Sequence, residues 1–95
     1  MRFEFSAHGK KSLRKLDAQR ARRILKKIAY WESTGDPLQY GEKLESPKKL
    51  LKYRVGDYRI IVWLHPERQQ LIILEIDSRD HIYDTLIPIC NRNHT

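Results

Sequence analysis

A single cysteine, four glycines and four prolines are spread over the 95 residues, and no long apolar run joins them. Cys90, alone, can close no internal disulfide, which fits a reducing compartment. Apolar runs such as 60–64 and 71–74 fall far short of the roughly 20 residues that cross a bilayer, so a membrane span is excluded. The N-terminal stretch carries Glu4 and has no continuous apolar centre, so it lacks the form of a secretory signal and a cytoplasmic address is expected. Also missing are a glycine-rich phosphate loop, an HExxH and a CxxC, which leaves nucleotide-binding loops and standard zinc sites without support. His8, His65, His81 and His94 show no metal-ligand spacing, and the Cys90/His94 pair near the end is too sparse to hold an ion. The expectation is no metal and no cofactor.

Acidic residues are the minority. Nineteen Lys and Arg face twelve Asp and Glu, for a net charge of +7 and a pI near 9.8. Such a balance favours polyanionic partners but reports on association and not on chemistry. The apolar fraction of 40% and charged fraction of 33% lie in the soluble globular range, and the length suits one domain spanning 1–95.

Residues 1–6 alternate apolar (Met1, Phe3, Phe5) with polar, the period of a half-buried strand. From about His8 the pattern changes, and Leu13 with Leu16 suggests a short amphipathic helix. Asp17 then caps a second helix, whose stripe of Ala21, Ile24, Leu25, Ile28 and Trp31 runs until Gly35-Asp36-Pro37 stops it. Residues 38–47 read as a loop with at most one helical turn, and three strands follow over 50–55, 57–64 and 69–77, separated by turn signals. A last short helix is expected over 79–87, halted by Pro88. The order β-α-α-β-β-β implies an α+β fold: an antiparallel sheet with the helical hairpin packed on one face and the other face open. Alternation puts Tyr58, Ile60, Val62 and Leu64 toward the helices. Lys52 and Arg54 share one face of their strand, and Arg59, with Ile61 and Trp63, is placed on the open face, because an unpaired guanidinium in the core would be very costly.

Two basic sets stand out. Between Lys10 and Lys27 nine cations and one acid, Asp17, give a local charge of +8. This segment reads either as a helix laid along a phosphate backbone or as a solvated face that steers polyanions without specific contact. The second set is Lys48, Lys49, Lys52, Arg54, Arg59 and Arg79, interleaved with Tyr53, Tyr58 and Tyr83. Strand pairing would bring these residues onto one concave surface, while composition alone leaves open that they are ordinary solvated strand charges.

The run Lys52-Tyr53-Arg54-Val55-Gly56-Asp57-Tyr58-Arg59-Ile60-Ile61 resembles the strand pair of RelE-type toxins of the RelE/ParE superfamily, of the form R-x-x-x-G-x-Y-R followed by two hydrophobics. Arg79-Asp80-His81-Ile82-Tyr83 resembles the same family's C-terminal R-x-x-V-Y element, and the resemblance covers residues 1–87. It implies a RelE-like, microbial-ribonuclease-type fold and the toxin of a type II toxin–antitoxin system. Such a toxin is a ribosome-dependent endoribonuclease that cleaves messenger RNA and is held by a cognate antitoxin in a hetero-oligomer. By position, Arg59 matches the family's phosphate-binding arginine, Lys52 and Arg54 its preceding basic residues, and Tyr83 its C-terminal tyrosine. Lys48, Lys49 and His81 would add RNA contacts. Arg59 and Arg79 would grip the scissile phosphate, Lys52 would serve as base with its proton affinity lowered by Arg54 and Lys49, and Tyr83 would stack on a base or orient the phosphate. The sequence departs from the family at Asp77, where some members carry a basic residue, leaving Arg79 to take that role. ParE-like relatives share the fold but bind DNA gyrase, and a non-catalytic nucleic-acid-binding module is the remaining alternative.

Overall fold

The computed structural model describes residues 1–45 and 49–78. The helix expected over 79–87, with Arg79, His81 and Tyr83, lies outside the described residues, as does Lys48. The described chain runs β1 (Arg2–Phe5), α1 (Ala7–Arg14), α2 (Ala18–Ser33), a 3₁₀ turn (Pro37–Tyr40), β2 (Glu42–Lys43), β3 (Leu50–Val55), β4 (Tyr58–His65) and β5 (Gln70–Asp77). The strands form one sheet in the order β1-β5-β4-β3-β2, with both helices on one face.

The α+β expectation holds, with two corrections to the sheet. The meander β3-β4-β5 is antiparallel, but β1 joins its far edge parallel to β5, pairing Phe3 with Leu71 and Phe5 with Ile73, so the sheet is mixed. A fifth strand, β2, also forms in the stretch read as loop, where Glu42 and Lys43 pair with Lys52 and Leu51. Neither feature has a local signal: two residues carry no periodicity, and an edge strand's partner is a choice of topology.

Each helix starts on a side-chain cap. The Asp17 carboxylate accepts from the Arg20 N–H at 2.8 Å, satisfying one of the open donors of the first turn of α2. At α1 the Ser6 hydroxyl accepts from the Gly9 N–H at 2.9 Å and donates to the Ile73 carbonyl at 2.9 Å, while the Ser6 N–H reaches that same carbonyl at 3.0 Å. The helix therefore begins directly on the backbone of β5. A methyl group at Gly9 would stand 2.2 Å from the Ile73 oxygen, so only glycine fits there.

The core lies between the helices and the sheet: Ile24, Ile28 and Trp31 of α2 pack on Leu51, Tyr53, Val55, Ile60, Val62, Leu71, Ile73 and Ile76. Each fully buried aliphatic side chain stabilises the fold by roughly 1.5–3 kcal/mol. Leu25, expected on this stripe, is 43% exposed; it sits one residue past Ile24, about 100° round the helix, and misses the contact. The alternation of β4 is as expected, with Ile60 and Val62 in this core and Tyr58 and Leu64 at its margin. On the opposite face Ile61 and Leu50 are buried too, beneath Leu44, Trp63 and Leu74, so that face is partly apolar and less open than expected.

One irregularity controls the far end of β5. Val62 pairs with Ile73 but Ile61 pairs with Glu75, so Leu74 is an extra residue and the strand bulges. One inserted residue reverses the facing of every side chain beyond it. Ile76 is thereby carried into the core, at 5% exposure, and Asp77 comes into register with Arg59. Glu75, at the bulge, accepts from the buried Ser12 hydroxyl and meets His8 Nε2, which ties α1 to β5 a second time.

Replacing Gly9 with alanine should therefore lower stability by about 2 kcal/mol or more, an overpacking penalty against backbone that cannot yield. Urea unfolding monitored by circular dichroism checks this; an unchanged midpoint would mean that α1 does not sit on β5 as described.

Candidate functional site

Of the cations that the sequence pattern grouped, the open face carries Lys52, Arg54 and Arg59. In the β3/β4 hairpin Arg54 lies directly opposite Arg59, and Arg59 lies opposite Asp77 of β5, so these three form one row across the sheet. The next row holds Glu42, Lys52 and Ile61. The hairpin turn that sets this register has Gly56 at φ +59°, the conformation required at the first central residue of a type II′ turn. Side chains directly opposite on a strand pair stand about 5 Å apart at Cβ, and like charges so placed repel. Two opposed arginines thus weaken the hairpin slightly and present a local surplus of positive charge.

Arg59 Nη1 donates to the Asp57 carbonyl at 3.2 Å, folding the guanidinium back over the turn. Lys52 Nζ stands 3.7 Å from Glu42 Oε2, an ion pair at the sheet edge in which the lysine side chain is 19% exposed. Arg54 is exposed and, among the described residues, no ion pair holds it. Lys49 is exposed just before β3. The structure therefore brings together Lys52, Arg54 and Arg59 of the expected site, while Lys48, Arg79, His81 and Tyr83 lie outside the described residues. Among the described residues no group of three or more His, Cys, Asp or Glu side chains could hold a metal ion.

Two neighbours of this cluster were not legible beforehand. One is Glu42, in the stretch read as loop. The other is an aromatic wall: Tyr40, from the 3₁₀ turn, stacks on Trp31 with centroids 6.2 Å apart and planes at 26°, and leans on Tyr30 at 5.9 Å. Together with Lys27, Glu42, Lys52 and Arg54, Trp31 and Tyr40 enclose a cleft of about 230 Å³ beside β3. The hydrogen bond with Tyr30, and then burial, raise the Tyr40 hydroxyl above the ordinary phenol pKa. A larger cleft, about 320 Å³, lies on the helix side and is lined by Arg20, Arg23 and Tyr58 among others. There Arg20 donates to the Tyr58 hydroxyl at 3.0 Å and also pairs with Asp17 at 3.4 Å, so Tyr58 serves packing and a local hydrogen bond.

Tyr53, between Lys52 and Arg54, fixes both of them. Its ring is fully buried against Trp31 (4.8 Å) and edge-on to Phe3 (5.4 Å, 79°), and its hydroxyl donates to the Pro37 carbonyl at 3.0 Å. That bond attaches the 3₁₀ turn, and so Tyr40, to the strand that carries the cations.

Residues 3–83 match the family model of the ParE toxin of type II toxin–antitoxin systems, parDE. The chain belongs to this toxin family, within the RelE/ParE superfamily. Its fold is shared by the RelBE2 toxin–antitoxin complex from Mycobacterium tuberculosis, at a TM-score of 0.69 and 22% identity over 82% of this chain and 96% of that one. It is shared likewise by an arginine-to-alanine double mutant of E. coli toxin RelE in the free state, at a TM-score of 0.65 and 17% identity over 93% of each chain. Among curated proteins no significant match is found. Among the described residues no helix is long and apolar enough to cross a membrane.

Burial pushes the Tyr53 hydroxyl up to about 12. A raised folded-state value means that the neutral phenol's contribution is intact below pH 10 and is lost as the pH climbs from 10 to 12, because the unfolded chain ionises first. The loss over that window should be roughly 2–3 kcal/mol. Urea midpoints of the wild type and Tyr53→Phe, compared from pH 9 to about 12, should show a steeper alkaline decline in the wild type than in the phenylalanine variant.

Proposed function

We propose that this toxin cleaves messenger RNA on the translating ribosome. The observation that carries the reading is the cross-strand pair Arg54/Arg59 with Lys52 two residues along the same face. Two planar guanidiniums side by side match the oxygens of one phosphodiester, and a bound anion would relieve their mutual repulsion further.

In the proposed step the 2′-oxygen of one nucleotide attacks its own 3′-phosphate. The 2′-O–P bond forms, the P–O5′ bond breaks, the hydroxyl proton leaves to solvent water, and water returns a proton to O5′. The products are a 2′,3′-cyclic phosphate and a 5′-hydroxyl. Arg59 and Arg54 hold the nonbridging oxygens and stabilise the charge that builds on phosphorus. Lys52, ion-paired with Glu42, is assigned to charge stabilisation, in place of the base role expected of it from its basic neighbours. Arg79 and Tyr83 keep the phosphate-gripping and base-stacking or orienting roles expected of them from the sequence, with Lys48, Lys49 and His81 as RNA contacts.

A cognate antitoxin completes the reading, since the family is defined by such pairs. Trp63, Leu74, Leu44 and Ile61 offer an apolar patch beside the cations, suited to an amphipathic segment with acidic residues along one side.

The gyrase-inhibiting alternative is favoured by two observations: the matching family model is that of the ParE toxin, and Asp77 stands in register with Arg59 where a second phosphate-binding cation would help catalysis. One experiment separates the two. Purified protein added to ribosomes translating a defined messenger should produce mapped cuts, and Arg59→Ala should slow them by a factor of about 100 or more, the scale of one lost oxyanion donor. An intact messenger together with inhibited gyrase supercoiling would replace this reading with the gyrase one.

A further inference from the structure

We infer that the cleft beside β3 is a nucleobase subsite, in which the ring of Tyr40 receives a base from single-stranded RNA while Lys27 and Arg54 flank its phosphates. The inference rests on the RNA reading above and adds to it a second contact region outside the phosphate-gripping row. Three features of the cleft carry it.

Its size comes first. At about 230 Å³ the cleft is smaller than the roughly 300–1,000 Å³ that drug-sized ligands occupy, and suits a single planar ring. Its wall is aromatic: Trp31 is 2% exposed and so only backs the wall, while Tyr40 is 36% exposed and offers its ring. Tyr30 and Trp31 brace Tyr40 from two directions, at 5.9 and 6.2 Å, so little side-chain freedom remains to be lost when a base stacks. Base-on-aromatic stacking tolerates every base, because each has a π face.

Its rim is cationic. Lys27, whose ammonium lies 5.5 Å over the Tyr30 ring, stands on the α2 side, and Arg54 and Lys52 stand on the strand side. A strand of RNA entering between them would meet positive charge on both edges. Because Lys52 and Arg54 also belong to the open-face cluster, a base held here is joined by its own backbone to a phosphate held at Arg54/Arg59. The one acid, Glu42, is an acceptor only. It complements bases that present an exocyclic amino group and disfavours uracil, whose N3–H is flanked by two carbonyls.

The test uses the unmutated protein and follows the fluorescence anisotropy of an end-labelled short single-stranded RNA, the matching abasic strand, or a labelled acidic amphipathic peptide as protein is added; cleavage on ribosomes is mapped in parallel. The expected result is a response to the RNA that the abasic strand does not produce. Tyr40→Ala, with its fold checked by circular dichroism, should weaken binding roughly tenfold, as for one lost stacking contact. Tyr40→Phe, which keeps the ring, should recover most of that loss, and Glu42→Gln should narrow the gap between uridine and the other nucleotides. Equal affinities for intact and abasic RNA, or for wild type and Tyr40→Ala, would overturn the subsite even if the messenger is still cut. Base-dependent binding without cleavage would uphold it and sink the ribonuclease reading instead. A response to the peptide alone would overturn it in favour of a protein occupant.

Discussion

The carbonyl of Ile73 is the point on which the rest of the molecule turns. It accepts from both the backbone N–H and the hydroxyl of Ser6, and Gly9 rests against it. These contacts hold the end of β1 parallel to β5 and start α1 in the same place, so the chain has no freedom to lay its first helix elsewhere. With α1 tied to β5 there, and again through Ser12, His8 and Glu75, α2 is left to cover β3 and the rest of that face. The opposite face then receives no helix among the described residues, and the cations of the β3/β4 hairpin stand where a ligand can reach them.

Sequence periodicity was sufficient for the facing of the β4 side chains, though not for the parallel β1 or its anchor on Ile73. A strict two-residue alternation in β4 separates Ile60 and Val62 from Arg59, Ile61 and Trp63, and the cost of burying an unpaired guanidinium decides which set faces outward. The cap at Asp17 and the turn at Gly56 are local chemistry and were legible as such. What escaped the sequence is non-local. The bulge at Leu74 leaves no mark in the apolar pattern, since Leu74, Glu75 and Ile76 would read acceptably in either register. Yet the bulge decides that Ile76 is buried and that Asp77 joins the arginine row. The partners of Lys52 and the wall of the adjacent cleft were hidden for a related reason. Glu42 and Tyr40 come from a stretch too short for periodicity, positioned by the Tyr53 hydroxyl on Pro37 and by two strand pairs.

The acids within the cationic face fit its chemistry. A cluster of cations alone would repel itself and splay, at a cost to the hairpin that holds it. Glu42 beside Lys52 and Asp77 in register with Arg59 offset that repulsion without closing the face, because each stands at one end of its row. Arg54, between them, is left without an ion pair among the described residues, and is the guanidinium from which an incoming phosphate has least to displace.

On the proposed reading the two basic regions divide the work by distance. All nine cations between Lys10 and Lys27 are exposed on the helices, and few of them are engaged: Arg20 with Asp17 and Tyr58, Lys27 with Tyr30. Charges so placed act through the summed field, raising the encounter rate with a polyanion and fading within about 10 Å at ordinary ionic strength. The open face has fewer cations and accompanying acids, so its net field is weaker, but its groups are held at fixed spacing by strand pairing. Long-range attraction needs charge without geometry, and phosphate recognition needs geometry more than charge. That the larger basic set is the more exposed one accords with this difference, and it is why counting charges along the sequence points first to the helices and only second to the hairpin.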